Sequence, residues 1–180
     1  MTTVPDQIRT ERLVLACWRA DDAPLMRAAL DECDAHLRPW IPFMQGEPRS
    51  LDETRAKLIE ARDSFANGEH FRYAIRERTT GALVGETMLL SRGGPDTLEA
   101  GYWLHRDHCG KGYATEATRA LLPIAFDVVG VGRVILRCDE RNRPSIRVAE
   151  RLGATRIGVE DDGATGERVR LLVFGLTKPG

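Results

Sequence analysis

Short apolar runs bounded by turn residues alternate along this chain with stretches whose apolar residues recur every three or four positions. The first kind predicts strands and the second helices. Residues 12–18 read as a first strand. Asp21 or Asp22 can cap a helix running to about residue 34, with Pro24 in its first turn. Ser50-x-x-Glu53 is a capping box for a second helix over 51–66, which Gly68 ends. Residues 71–78 and 83–92 are strands joined at Thr79-Thr80-Gly81-Ala82, a hairpin signal. Gly93-Gly94-Pro95-Asp96 turns the chain into a strand over 98–105. A helix over 114–129 carries an apolar stripe of Ala117, Leu121, Leu122, Ala125 and Val128. Residues 133–138 form a β-branched strand. Asn142 caps a helix that ends at Gly153, and residues 157–160 and 169–176 make a last hairpin across a Gly/Asp-rich turn. No repeat, linker or low-complexity run interrupts this order, so one domain is expected over residues 1–180, with its core at about 9–177. The order predicts a mixed α/β sheet: several antiparallel strands, then a β-α-β unit.

Composition narrows the function classes. The chain has 180 residues, enough for one well-buried core, with 42% hydrophobic and 29% charged residues. A net charge of −1 argues against a surface built to bind nucleic acid. No apolar run approaches the roughly 20 residues a membrane span needs, and residues 1–9 carry no signal-peptide core. A cytoplasmic protein is expected. Cys17, Cys33, Cys109 and Cys138 are widely spaced, without zinc-like clustering, so free thiols and no metal are expected.

The most specific stretch is Asp107-His108-Cys109-Gly110-Lys111-Gly112-Tyr113-Ala114-Thr115-Glu116-Ala117. It lies between an apolar strand and a long helix. Glycines at such a junction let backbone N–H groups turn inward around an anion, and the positive end of the helix adds to that field. The segment reads as a cradle for a diphosphate. A Walker loop is excluded, because Gly112 rather than Ser or Thr follows Lys111. The dinucleotide fingerprint fails at Thr115, where Gly or Ala is expected. Gly110-x-Gly112 alone also suits a plain tight turn.

Together with Trp103-Leu104 before it, Gly110 to Ala117 resembles the acyl-CoA loop of the GNAT N-acetyltransferases. The resemblance is closest to the Rim-type ribosomal-protein N-terminal acetyltransferases. Thr10-Glu11-Arg12-Leu13-Val14-Leu15 is similar to that group's opening strand, and Leu37-Arg38-Pro39-Trp40-Ile41-Pro42 to its Trp-Pro segment. Asn142-Arg143-Pro144-Ser145, with Ala149-Glu150-Arg151-Leu152-Gly153-Ala154, resembles its Asn-x-x-Ser…Leu-Gly-Phe motif. The resemblance implies the GNAT fold, mostly antiparallel, whose fourth and fifth strands splay to admit acyl-CoA. It implies acetyl-CoA as co-substrate, with Gly110, Lys111, Gly112, Tyr113 and Ala114 at the pyrophosphate. Trp103, Leu104 and His105 would lie along the pantetheine arm, with Asn142 as a pantetheine or acceptor contact and Ser145 at the sulfur. Asp107 stands where the family usually has Gln or Arg. Ala149 stands where many members carry the tyrosine that protonates the thiolate; Ser145 fits the Rim-type alternative.

Attack on a thioester requires a neutral amine. A lysine side chain is only about 0.1% neutral near pH 7.4, whereas an α-amine is about a quarter neutral. An N-terminal amine therefore needs little help, and a protein or peptide N-terminus is the expected acceptor. Polyamines, amino-acid derivatives and aminoglycosides are alternatives, as is a non-catalytic acyl-CoA-binding module. Glu99 is the leading base, Glu86 the second and Asp139 the third. Direct attack is expected rather than an acetyl-Cys intermediate, since Cys109 has no obvious base. Trp40 and Phe43, in an apolar loop, are expected to line the acceptor groove, with Tyr73 or Arg72 beside them. The last hairpin could pair with a second copy.

Overall fold

The computed structural model describes residues 3–162 and 169–178. Its strands are β1 (Gln7–Arg9), β2 (Leu13–Cys17), β3 (His70–Glu77), β4 (Leu83–Leu90), β5 (Thr97–Leu104), β6 (Arg133–Asp139), β7 (Thr155–Asp162) and β8 (Val169–Thr177). The helices are α1 (Ala23–Glu32), α2 (Asp34–Leu37), α3 (Leu51–Ala66), α4 (Tyr113–Pro123) and α5 (Arg143–Arg151). Among the described residues the strands form one sheet in the order β1-β2-β3-β4-β5-β6-β8-β7. Every neighbouring pair is antiparallel except β5 with β6, which is parallel. This is the mixed, mostly antiparallel sheet expected from the order of elements.

The parallel pair positions the site. β5 and β6 pair only at Thr97↔Arg133, Leu98↔Val134 and Glu99↔Ile135. Beyond Glu99 the two strands part, and the β6-facing edge of Ala100–Leu104 has no strand partner among the described residues. These are the fourth and fifth strands of the sequence reading, since β1 is an added edge strand. Three residues are too short to show a period, so β1 is visible only through its pairing with β2.

The strand period of two then sorts side chains to opposite faces. One face carries Leu15, Tyr73, Ile75, Leu98, Ala100, Leu136 and Cys138 against α4 and α5. The other carries Trp18, Ala74 and Trp103 against α1, Met44 and Leu58.

Local signals explain most boundaries. Ser50 and Glu53 form the reciprocal capping box, at 3.1 and 2.8 Å. The Asn142 side chain accepts the Ser145 N–H at 3.2 Å and caps α5. Three expectations shift. The first helix breaks at Cys33 (φ −104°, ψ 8°), giving α1 and α2. Asp22 does not cap α1 with its side chain, which instead accepts the Arg19 N–H and pairs with Arg76. The helix expected over 114–129 is α-helical only to Pro123 and finishes as a π-helical turn, Ile124–Val129. Proline removes an N–H and crowds the preceding turn, which favours that change of pitch. The turn expected between the last two strands lies outside the described residues. Among those described, no helix is long and apolar enough to cross a membrane.

Candidate active site

The glycine loop joins β5 to α4 through a short 3-10 turn, Arg106–His108. Gly110 and Gly112 adopt φ of 77° and 81°, left-handed conformations that favour glycine. A Cβ at Gly110 would enter open space, so conformation rather than crowding demands glycine there. The first intrahelical bond of α4 runs from the Glu116 N–H to the Gly112 carbonyl. The N–H groups of Tyr113, Ala114 and Thr115 precede it, and Gly112 supplies no side-chain cap. Thr115 Oγ1 is buried without a protein partner and lines the same cleft. A diphosphate fits this combination of left-handed glycines, unpaired amides and an orphaned hydroxyl.

The loop is held from behind. Glu116 accepts from the Thr10 hydroxyl (2.6 Å), the Arg12 N–H (2.9 Å) and Arg12 Nε (2.7 Å). Arg12 Nη1 donates to the Lys111 carbonyl at 2.9 Å, and its guanidinium stacks 4.7 Å from the Tyr113 ring centroid. The opening-strand motif and the glycine loop are thus parts of one clamp.

From the loop, a cleft of about 1680 Å³ runs through the β5/β6 gap to the loop after α2. Strand alternation divides its chemistry. On the face toward α4 and α5, Tyr102 reaches across the gap to Ser145, O···O 2.9 Å, and Ser145 Oγ donates to Cys138 Sγ at 3.3 Å. On the opposite face Glu99 accepts from Arg92 Nε (2.8 Å), Arg92 Nη2 (3.0 Å) and Arg137 Nη1 (2.7 Å). Arg137 in turn holds Glu160 with its other two nitrogens. A carboxylate offers about four acceptor positions, so Glu99 keeps one.

Glu86 keeps none. It is fully buried and accepts Trp18 Nε1 (2.8 Å), Arg72 Nε (2.8 Å), Arg72 Nη2 (2.9 Å) and Trp103 Nε1 (2.9 Å). Its expected place as second base meets a physical obstacle: every lone-pair position is filled. Asp139 is held below the usual carboxylate range by hydrogen bonds from Arg141.

Other expected residues divide similarly. Trp40, Phe43, Trp103, Leu104, Gly110, Gly112, Tyr113, Ala114, Asn142 and Ser145 all line the cleft. His105 turns away from it, toward Glu32 on α1 at 3.2 Å, and its Nδ1 accepts the Asp107 N–H. The Lys111 side chain is exposed outside the cleft lining. The Tyr113 ring is committed to Glu77 and Arg12, which leaves its backbone for the loop. Tyr73 lies in the core, packed edge-on against Phe65, with its hydroxyl on the Pro5 carbonyl. It is Arg72, one residue earlier and so on the opposite face, that lines the cleft. Sequence reading did not single out Tyr102, Arg92, Arg137 or Thr115. The partners of Tyr102, Arg92 and Arg137 lie 7 to 43 residues away, and Thr115 Oγ1 has none among the described residues, so no local spacing encodes their roles.

Comparison with known proteins agrees with this geometry. A family model described as an acetyltransferase (GNAT) domain matches residues 12–155. YdaF of Bacillus subtilis (strain 168), named provisionally as a ribosomal N-acetyltransferase, is 34% identical over 175 residues, covering 93% of this chain and 92% of its own. A Vibrio cholerae structure, named provisionally as a ribosomal-protein-serine acetyltransferase, superposes with a TM-score of 0.76 at 28% identity. It covers 98% of this chain and 100% of that one. RimL, a ribosomal L7/L12 α-N-protein acetyltransferase solved with coenzyme A, has the same fold, with a TM-score of 0.85 at 19% identity over 98% of both chains. With the family model spanning more than half of its length, this chain belongs to the GNAT acetyltransferases.

Proposed function

We propose that this acetyltransferase moves an acetyl group from acetyl-CoA to the N-terminal amine of a protein or peptide, by direct attack within a ternary complex. The observation that carries this reading is the β5/β6 gap, with an ion-paired carboxylate on one face and a serine hydroxyl on the other. Acetyl-CoA supplies an activated acyl group on a sulfur leaving group.

The N–H groups of the glycine loop and Thr115 Oγ1 hold the pyrophosphate. Ala100–Leu104 offers its unpaired edge to the pantetheine arm as a strand would. On the acceptor face, Glu99 uses its remaining lone pair to take the amine's proton, directly or through water. Arg92 and Arg137 fix its carboxylate. On the other face Ser145 donates to the sulfur. Alignment of amine and thioester through the gap supplies a large part of the rate by proximity. Cys109, expected to lack a base, has His36 Nε2 at 3.5 Å, but its thiol is pushed up by desolvation and stands in the glycine loop rather than at the β5/β6 gap. Cys138 is pushed up by burial. Both favour direct attack over a cysteine relay.

One observation supports a protein or peptide acceptor over a small polycation. The relatives named above are called ribosomal acetyltransferases. The test is thiol release from acetyl-CoA against N-terminal peptides, polyamines, amino acids and aminoglycosides, with coenzyme A affinity measured in parallel. Turnover on peptides is expected. Turnover confined to small amines would replace the acceptor assignment, and tight binding without turnover on any amine would replace catalysis with acyl-CoA sensing.

A further inference from the structure

The contact between Tyr102 and Ser145 has no structural necessity. β5 and α5 already belong to one core through Leu98, Ala100, Ile146 and Ala149. Yet a phenol crosses the gap between the splayed strands to put its hydroxyl 2.9 Å from Ser145 Oγ. A serine hydroxyl has one proton and two lone pairs. Here the proton goes to Cys138 Sγ at 3.3 Å, so Tyr102 is the donor in the other contact. Burial raises the Tyr102 pKa and keeps the phenol protonated.

The serine proton therefore rests on a weak acceptor. A thiol sulfur is poor at receiving hydrogen bonds, whereas a thiolate is charged and takes them strongly. When a thiolate forms in the cleft, rotation about the serine Cβ–Oγ bond can carry the proton from Cys138 to it. Donation from the phenol fills one lone pair throughout and polarises the serine O–H, making it a better donor.

We propose that Tyr102 is a positioning residue for the leaving sulfur: its phenol, donated to Ser145 Oγ, leaves the serine proton aimed at the coenzyme A sulfur. This rests on the assignment of Ser145 made above. In the step it serves, the N–C bond forms and the C–S bond breaks. The electron pair of the C–S bond stays on sulfur, and the amine's surplus proton passes to Glu99 and then to solvent. Tyr102 and Ser145 keep their own protons and contribute hydrogen bonds only.

The test uses the full chain with Tyr102→Phe, Ser145→Ala and the double variant. Phenylalanine keeps the ring in place, and thermal unfolding checks that the fold is retained. Tyr102→Phe is expected to lower kcat by about 3- to 10-fold with KM for acetyl-CoA unchanged, the range of one hydrogen bond between neutral groups. Ser145→Ala should lose at least as much, and the double variant no more than Ser145→Ala alone, because Tyr102 acts through the serine. A second readout needs no turnover: calorimetric affinity for coenzyme A against desulfo-coenzyme A at pH 9, compared with pH 7, since a larger fraction of the thiol is thiolate at the higher pH. The wild-type preference for the sulfur-bearing ligand should shrink in both single variants. Multiplicative losses in the double variant, or a Tyr102→Phe enzyme with wild-type kcat and sulfur preference, would overturn the Tyr102 proposal alone. A Ser145→Ala enzyme matching wild type in both readouts would overturn the Ser145 assignment, and this proposal with it.

Discussion

Replacing Glu86 with Gln separates a structural carboxylate from a catalytic one. In the wild type each oxygen accepts two N–H groups: Oε1 from Trp18 and Arg72, Oε2 from Arg72 and Trp103. A glutamine keeps one oxygen and turns the other position into an NH2. Two donors then face two donors, and the Arg72 charge loses its partner. Breaking a fully buried pair costs about 3–5 kcal/mol. The Arg72 side chain is 25% exposed, so water recovers part of its charge and the lower end applies, about 3 kcal/mol. For a chain of this length each kcal/mol moves Tm by about 2–4 °C, so a fall of about 6–12 °C is expected. Urea unfolding should show a lower midpoint with an unchanged slope. Assayed well below the new Tm, the variant should keep kcat within about tenfold of wild type, whereas loss of a true general base costs about 10²–10⁴-fold. A Tm within 2 °C of wild type together with a hundredfold lower kcat would refute the reasoning from filled lone pairs and make Glu86 the base.

Glu99→Gln is expected to lower kcat by about 10²-fold and to abolish the acidic limb of the kcat/KM pH profile; a wild-type profile would move the base elsewhere. Gly112→Val forces a β-branched residue to φ 81° and should abolish coenzyme A binding by calorimetry while the far-UV spectrum is retained; unaltered affinity would sink the cradle. Arg12→Ala frees the Lys111 carbonyl and one side of Glu116, so coenzyme A affinity should fall about tenfold with kcat unchanged at saturation, the scale of about one charge-assisted hydrogen bond. The Glu116 carboxyl is subject to burial, which raises its pKa, but hydrogen bonds from Thr10 and Arg12 outweigh it and hold the carboxyl below the usual range. Its contribution is present above the unfolded-state value of about 4.3 and is lost as pH falls through the lower folded value, so Glu116→Gln should flatten the acid limb of stability in urea unfolding.

The parts of this molecule legible in the sequence are those fixed by local chemistry. Ser50 and Glu53 satisfy each other within one turn, so their box is readable as a string. Gly110 and Gly112 are required by backbone conformation, which leaves a mark in residue type alone. The role of Tyr73 was not readable in this way. Period two puts it opposite Arg72, but which face meets the cleft depends on how the sheet packs, and a strand flanked on both sides offers no polar face to decide. Glu86 and Glu99 look alike in sequence, each a lone carboxylate in an apolar strand. What distinguishes them is the number of donors reaching them from the residue after β2, from β3, β5 and β6, and from the loop after β4, an outcome of tertiary contacts.

That difference follows from where the sheet opens. Glu86 faces Trp103 across the closed β4/β5 pair, where Trp18 and Arg72 complete a sealed shell around it. Glu99 occupies the last position at which β5 still pairs with β6. One register step further the strands part and the cleft begins. A carboxylate at that point is anchored by the pairing behind it and by two arginines, yet borders the gap through which acyl donor and amine must meet. Alternation then places Tyr102, three residues on, on the opposite face with Ser145. A single strand leaving its neighbour thus carries the amine-side carboxylate and the sulfur-side phenol to the two sides of one opening, and their odd spacing of three allows it. A one-residue insertion between Glu99 and Tyr102 should bring both to the same face. It should cost turnover far beyond either point substitution, even if coenzyme A still binds at the undisturbed glycine loop. Equal losses for the insertion and for Glu99→Gln would show that the division between faces contributes nothing beyond Glu99 itself.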